Sequence, residues 1–284
     1  MKQTSSPTRV LITGGGSGLG KALAYRWADA GAKVCIADIN TERGEATMTE
    51  LKNSAADVLF CQCDITQQSH VEALRDTLMQ EWGGVDVVVN NAGVATGGSI
   101  ADEPMPQWQW VFEINLFGMV RMTQVFAPIF QQQGRGYFLN VASQAGLTPM
   151  PLMGSYCAVK SAVVSFSESM RLELVDDNIG VSVLCPAFFR TNLHESMRSD
   201  NPVMHGVVNK LLERGTLTAE QVAEMAFQGV QKGEFMIQTH KEGRRATRLR
   251  RWLPQSWYLR MMEKQTSKFR EKGGRTKSVK KAVK

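Results

Sequence analysis

The stretch VLITGGGSGLGKALAYRWADAGAKVCIAD, residues 10–38, decides the fold. A short apolar run enters a cluster of glycines, a helical pattern follows from about Leu19, and a second apolar run ends on Asp38. Runs that are apolar without alternation read as strands buried on both faces, and such strands belong to parallel sheets covered by helices. Gly14, Gly18 and Gly20 fit the turn between them, because without a Cβ the backbone amides at a helix N-terminus can approach an anion closely.

Outward from this unit the same alternation continues. RVLITGG, AKVCIAD, DVLFCQCD, VDVVVNNAG, GYFLNVAS, GVSVLCPA and EFMIQTH each read as a buried strand, with helical spacing between them. The expected architecture is α/β: a doubly wound, Rossmann-type parallel sheet of seven strands with helices on both faces, built from right-handed βαβ units. No linker or internal repeat interrupts residues 1–240, which read as one domain.

The composition then changes. Residues 241–284 carry 16 lysines and arginines against three glutamates, whereas the preceding 240 residues carry 17 against 24, so the net +6 hides an acidic body and a basic C-terminal extension. The five cysteines, Cys35, Cys61, Cys63, Cys157 and Cys185, have no metal-type spacing and read as free thiols of a reducing compartment. No signal-peptide core or membrane-spanning window is present in the sequence, and the expected location is cytoplasmic, with peripheral membrane association as an addition.

Chemistry-bearing residues fall at the strand ends. Asp38, 18 residues beyond Gly20, is placed to accept both hydroxyls of an adenosine ribose. An anion there repels a 2′-phosphate, and no arginine is evident around Asp38 or in the glycine loop, so NAD is expected over NADP. Asp64 closes the third strand, facing the adenine or capping the next helix. Tyr156 and Lys160 in SYCAVK lie four apart, one helical turn from each other. A phenol with a pKa of about 10 needs a nearby cation to serve as a base, and Lys160 supplies one. Ser143 follows the fifth strand at the carboxyl edge, where its hydroxyl can bond a substrate oxygen, and Asn115 is a polar side chain in an apolar helical stretch that needs a buried partner.

TGGGSGLG (Thr13 to Gly20), Asp38, Asp64, NNAG (Asn90 to Gly93), Asn115, Ser143, YCAVK (Tyr156 to Lys160) and PAFFRT (Pro186 to Thr191) stand in an order that resembles the short-chain dehydrogenase/reductase family over roughly residues 8–240. The resemblance implies a catalytic set of Asn115, Ser143, Tyr156 and Lys160. Tyr156 would be the acid/base, Ser143 would position the substrate oxygen, Lys160 would lower the tyrosine pKa and bind the nicotinamide ribose, and Asn115 would hold a water of a proton relay. It implies NAD contacts from Thr13, Gly14, Ser17, Gly18, Leu19, Gly20, Asp38, Asp64, Ile65, Asn91, Ala92, Gly93, Tyr156, Lys160, Pro186 and Thr191. It also implies a homodimer or homotetramer formed through the helices of Asn115 and Tyr156. One departure is Ala187, where the family usually has glycine.

Residues between these motifs should wall a substrate pocket: Leu147, Met150, Leu152, Met153, Phe188, Phe189, Met197 and Met204, of which Met150, Met153, Phe188, Phe189 and Met197 are the main candidates. They are apolar and rich in deformable thioethers, which suits a bulky apolar alcohol or ketone of steroid, retinoid or long-chain type. No Lys or Arg cluster stands in these segments to grip a multiply charged substrate, though Arg190 and Arg198 can each pair with a single carboxylate.

In the extension, the arginine- and tryptophan-rich RRATRLRRWLPQSWYLRMM (residues 244–262) overlaps QSWYLRMMEKQTSKFREK (residues 255–272), which puts Tyr258, Met262 and Phe269 on one helical face with Arg260, Glu263 and Lys264 opposite. Residues 244–272 can contact an anionic membrane surface, pack on the enzyme or a second subunit, or bind nucleic acid, the last without any accompanying reading motif. The functional expectation is an NAD-dependent oxidoreductase. The alternative is a cofactor-sensing module of the same fold whose basic tail contacts membrane or nucleic acid.

Overall fold

A computed structural model describes residues 7–189, 195, 197–199, 206, 215–267, 269 and 270. Thr191, Arg190 and Met204, singled out above, lie outside the described residues. The chain runs β1 (Arg9–Thr13), α1 (Gly18–Asp29), β2 (Lys33–Asp38), α2 (Thr41–Leu51), β3 (Asp57–Gln62), α3 (Gln68–Trp82) and β4 (Val87–Asn90). It continues through α4 (Met105–Phe112), a π-helical turn (Glu113–Phe117), α5 (Gly118–Gln133), β5 (Gly136–Val141), α6 (Gln144–Leu147), α7 (Gly154–Leu174) and β6 (Ile179–Leu184). α8 (Ala219–Gln231), β7 (Met236–Ile237), α9 (Lys241–Trp252) and α10 (Gln255–Gln265) complete it.

All seven expected strands form, in one parallel sheet ordered β3-β2-β1-β4-β5-β6-β7. Each strand is apolar on both faces because each face is covered. On one side Trp27 and Leu23 of α1 and Val222 and Ala226 of α8 pack over Ile12 and Val34; on the other Leu78 of α3 and Phe126 and Phe130 of α5 pack over Leu11 and Val88. The order reverses between β1 and β4, and open α/β sheets bind ligands outside the carboxyl ends of their strands at such a point.

The expected extension turns back onto this body. α9 starts at His240, and its buried Gly243 lies so close to Gln144 of α6 that an added Cβ would overlap the Gln144 amide. Thr247 accepts hydrogen bonds from Gln144 (3.0 Å) and Gln238 (2.8 Å), and Arg250 donates to the Leu147 carbonyl. Pro254 ends α9 and opens α10, whose Tyr258 is buried while Arg260, Glu263 and Lys264 face outward. Of the amphipathic stripe read from the sequence, Tyr258 is buried, Met262 is half-buried, and Phe269 packs against Leu152, Met153 and Tyr156.

Candidate active site

The glycine turn builds one end of the site. Gly14 takes a left-handed φ of +65°, and its amide donates to the Ala37 carbonyl (2.7 Å), so β1 turns sharply beside β2. Gly20 is needed for close approach, since a Cβ there would run into the Gly14 carbonyl and the Asn91 amide. Asn91 fixes the loop by donating to the carbonyls of Thr13 (2.9 Å) and Gly14 (3.2 Å). Thr13 Oγ1 receives the amides of Asn91 (3.0 Å) and Ala92 (3.1 Å).

A cavity of about 630 Å³ runs from this loop across the carboxyl edge of the sheet. Gly14, Ser17, Gly18, Leu19, Asp38, Asp64, Ile65, Asn91, Ala92 and Gly93 line its first arm, and Ser143, Tyr156, Lys160 and Pro186 its centre. Met150, Met153, Phe188 and Phe189 complete the wall. Thr13 and Gly20, expected among the cofactor contacts, stand behind that wall and hold the turn in shape. Met197 is buried in the cluster around Tyr156 without lining the cavity, and Leu147 packs with Met119, Val163 and Val183 instead. The neighbours Phe188 and Phe189 part company: Phe188 joins the Tyr156 cluster, while Phe189 enters the main core with Leu19 and Leu184.

Asp38 Oδ2 accepts the Gly16 amide and Oδ1 the Asn40 amide, both at 2.9 Å, so the carboxylate is held at the mouth of the first arm. The expectation that no arginine stands nearby is corrected by the fold. Arg43 lies in the first turn of α2, which returns over the glycine loop and brings it onto the same wall, where it pairs with Glu195 at 2.8 Å. Asp64 takes its helix-entry role, accepting from the Thr66 amide (2.9 Å) and hydroxyl (2.8 Å), and also lines the cavity.

At the centre, α7 carries Tyr156 and Lys160, and β5 delivers Ser143 as the N-cap of α6. Burial pushes the Tyr156 phenol up to about 12, against the pull of a hydrogen bond with Ser143. The same burial lowers Lys160 to about 8; its ammonium donates to the Val141 carbonyl (2.9 Å) and sits 5.9 Å from the Tyr156 ring centre. Asn115, in the π-helical turn, spends both ends of its amide on Val94: Oδ1 accepts the Val94 amide (2.8 Å) and Nδ2 donates to its carbonyl (2.9 Å). The buried partner that Asn115 demands is thus the loop carrying the NNAG motif.

Three supports escape a sequence reading. Asn90 donates to Asn140 (2.9 Å) and Asn140 to Ser167 (3.0 Å), a buried polar ladder from β4 through β5 to α7. Ser155, next to Tyr156, bonds Glu103 and Thr96, both buried. His240 Nδ1 accepts the Ala187 amide at 3.2 Å, so the turn after Pro186 is braced by the residue that starts α9. Apolar strand patterns signal none of these pairings, because each joins residues at least 27 positions apart.

A glycine turn at a helix N-terminus, a carboxylate at the end of β2 and a Tyr–Lys–Ser centre thus line one cavity at the switch point of a doubly wound sheet, an arrangement typical of nucleotide-dependent dehydrogenases. The comparisons agree: residues 8–202 match the short chain dehydrogenase family, and the chain belongs to the short-chain dehydrogenase/reductase family of oxidoreductases. It is 32% identical over 251 residues to a CLA biosynthesis dehydrogenase/reductase of Lactiplantibacillus plantarum, covering 82% of this chain and 88% of the relative. It is 33% identical over 187 residues to the 7alpha-hydroxysteroid dehydrogenase of Escherichia coli, covering 66% and 73%. The fold is similar to a Burkholderia phymatum short chain dehydrogenase/reductase in complex with NAD, with a TM-score of 0.82, 32% identity and 88% and 95% of the two chains covered. It is also similar to a Sphingobium yanoikuyae short-chain dehydrogenase in complex with NADPH, with a TM-score of 0.72, 27% identity and 82% and 87% covered.

Proposed function

We propose that the protein transfers hydride between NAD(H) and a hydrophobic secondary alcohol or ketone, with Tyr156 as the acid/base. The observation that carries this reading is one cavity joining the glycine turn and Asp38 to Ser143, Tyr156 and the apolar residues Met150, Met153 and Phe188. The donor set fits a dinucleotide: amides at the α1 N-terminus suit a pyrophosphate, and Asp38 suits a ribose diol. When bound, the nicotinamide supplies the hydride chemistry.

The chain's own residues do the rest. The Ser143 hydroxyl orients the substrate oxygen, and Tyr156 takes or gives its proton at Oη. Lys160 in its ammonium form holds phenolate charge and reaches toward the nicotinamide ribose. The Asn115 side chain fixes the loop beside Lys160, and with its amide spent, a relay water would bind its main-chain carbonyl. Asp38 favours NAD because a 2′-phosphate would meet its carboxylate, and Arg43, which alone among the described arginines lines the cavity, is already paired with Glu195.

The test is a panel of steroid, retinoid and long-chain secondary alcohols assayed with each dinucleotide. NADH formation with a higher kcat/KM than NADPH formation is expected; a preference for NADP would overturn the Asp38 argument. Tight dinucleotide binding without turnover of any alcohol or ketone would favour the cofactor-sensing alternative.

A peripheral membrane contact is proposed beside this. Trp252 (82% exposed) and Trp257 (64%) project outward with Leu249 and Leu259, among the exposed Arg245, Arg248, Arg251 and Arg260. Interfacial tryptophans beside arginines suit an anionic headgroup zone. Sedimentation with anionic vesicles, but not zwitterionic ones, is expected and should be lost in a W252A/W257A variant; equal sedimentation of variant and wild type would exclude it. For self-association, exposed Phe117 beside Asn115, and Leu172 in the helix of Tyr156, support a homodimer or homotetramer through these elements.

A further inference from the structure

Beyond Met150 lies a second hollow. It has a volume of about 500 Å³ and is lined by Ser99, Ile100, Met150, Pro151, Leu152, Gly154 and Arg270. Met150 is common to this hollow and to the substrate arm of the main cavity, so the loop Met150–Gly154 is the partition between them. Its lining is apolar apart from Ser99, whose hydroxyl is engaged with Asp102 at 2.6 Å, and Arg270.

The partition is unusual in its backbone. Leu152 has a φ of +63°, a region that a branched, Cβ-bearing side chain rarely enters and that costs on the order of 1–3 kcal/mol. It is held there from outside: the Leu152 carbonyl accepts the Gly98 amide at 2.9 Å, and Met153 bridges to Gly98 in a short parallel contact. Such strain persists where surrounding structure over-determines it, and it is concentrated at ligand clamps.

The end of the extension closes the same region. Phe269 packs against the cluster of Leu152, Met153, Tyr156, Cys157 and Met197, and Arg270 follows at the rim of the second hollow. The Arg270 guanidinium is anchored within its own segment, by hydrogen bonds to Thr266 Oγ1 (2.6 Å) and the Glu263 carbonyl (2.8 Å). Among the described residues no carboxylate forms an ion pair with it. Arg43, at the Asp38 end of the main cavity, is paired with Glu195, and Arg198 stacks on the Trp110 ring at 3.9 Å.

We propose that the substrate spans both hollows: an apolar alcohol or ketone whose far end carries a single carboxylate, received by Arg270. The inference rests on the oxidoreductase reading above and narrows its substrate class. The apolar body passes over Met150, the residue common to both hollows, the reacting carbon stays at Tyr156, and the guanidinium fork receives the anion in the second hollow. Because Arg270 is exposed, the pairing is a rim interaction of modest strength, which sets the size of the expected effect.

The test uses matched pairs: a hydroxysteroid with a side-chain carboxylate and its methyl ester, and a secondary hydroxy fatty acid and its methyl ester. In the wild type at low ionic strength, kcat/KM for the acid is expected to exceed that for its ester by about three- to tenfold, mainly through KM. The preference should shrink with added salt, fall toward one in R270Q, and reverse in R270E. Whichever pair shows it identifies the body as polycyclic or linear. Acid and ester turned over with equal kcat/KM in the wild type would overturn the proposal while leaving the oxidoreductase reading intact. An acid preference unchanged in both variants would also overturn it. Absence of turnover for all four compounds and for the simple alcohols of the panel would count against the underlying reading instead.

Discussion

Replacing Tyr156 with phenylalanine is expected to lower kcat by about 10²–10⁴-fold, the usual contribution of a positioned acid/base, with dinucleotide binding retained. The ring itself should stay in place, because it is buried against Leu152, Met153 and Cys157 and the substitution removes only the hydroxyl. The pH profile adds a signature. With burial holding the phenol at about 12 in the free protein, the phenolate is scarce at neutral pH; in the proposed mechanism the Lys160 ammonium and an oxidised nicotinamide would shift the balance toward it. Alcohol oxidation should therefore accelerate as pH rises and ketone reduction should slow. Both slopes should vanish in the residual activity of the variant. A variant that oxidises alcohols at the wild-type rate would remove Tyr156 from the chemistry.

Lys160→Met is expected to lose activity by a comparable factor at neutral pH, with the deficit narrowing as pH rises and the phenol ionises without help. Its effect on stability has the opposite sign. Burial lowers the ammonium from 10.5 to about 8 in the folded protein, so between these values the unfolded chain binds more protons and stability rises with pH. The cost of burying the charge is fully present below about pH 8, on the order of 3 kcal/mol, and fades toward pH 10.5. Methionine removes that cost but leaves the Val141 carbonyl without its donor, an offset of about 1–3 kcal/mol. The stability difference between variant and wild type, from urea unfolding of the cofactor-free proteins, should thus favour the variant most below pH 8 and decline steadily to pH 10.5. A difference independent of pH would show that the lysine is not held as a buried cation. The lysine is destabilising where it is most useful, as functional groups in tight sites often are.

The sheet was legible because burial on both faces leaves an unmistakable apolar run, and VLIT, VCIA and VVVN carry it without ambiguity. The Tyr156–Lys160 pair was legible because a helix converts a spacing of four into adjacency. Asp38 was readable as the end of a strand, but Arg43 was not readable as its neighbour, since only the return of α2 over the glycine loop brings the two to one wall. Phe188 and Phe189 look alike in sequence, yet one faces the Tyr156 cluster and the other the core. The stripe of Tyr258, Met262 and Phe269 was legible as amphipathic, but its spacing is the same whether a membrane, the protein's own surface or nucleic acid meets the extension. The supports from Asn140, Glu103 and His240 depend on partners far along the chain, which periodicity does not encode.

The contact between α9 and α6 bears on how this enzyme can be recombined with its relatives. Gln144 directly follows Ser143, and it meets Thr247 and the bare backbone of Gly243. A chimera that grafts a foreign C-terminal segment after residue 240 would set an unmatched surface against the loop that presents Ser143. Gln144, Gly243 and Thr247 thus form a compatibility set, to be exchanged together or kept together when segments are shuffled.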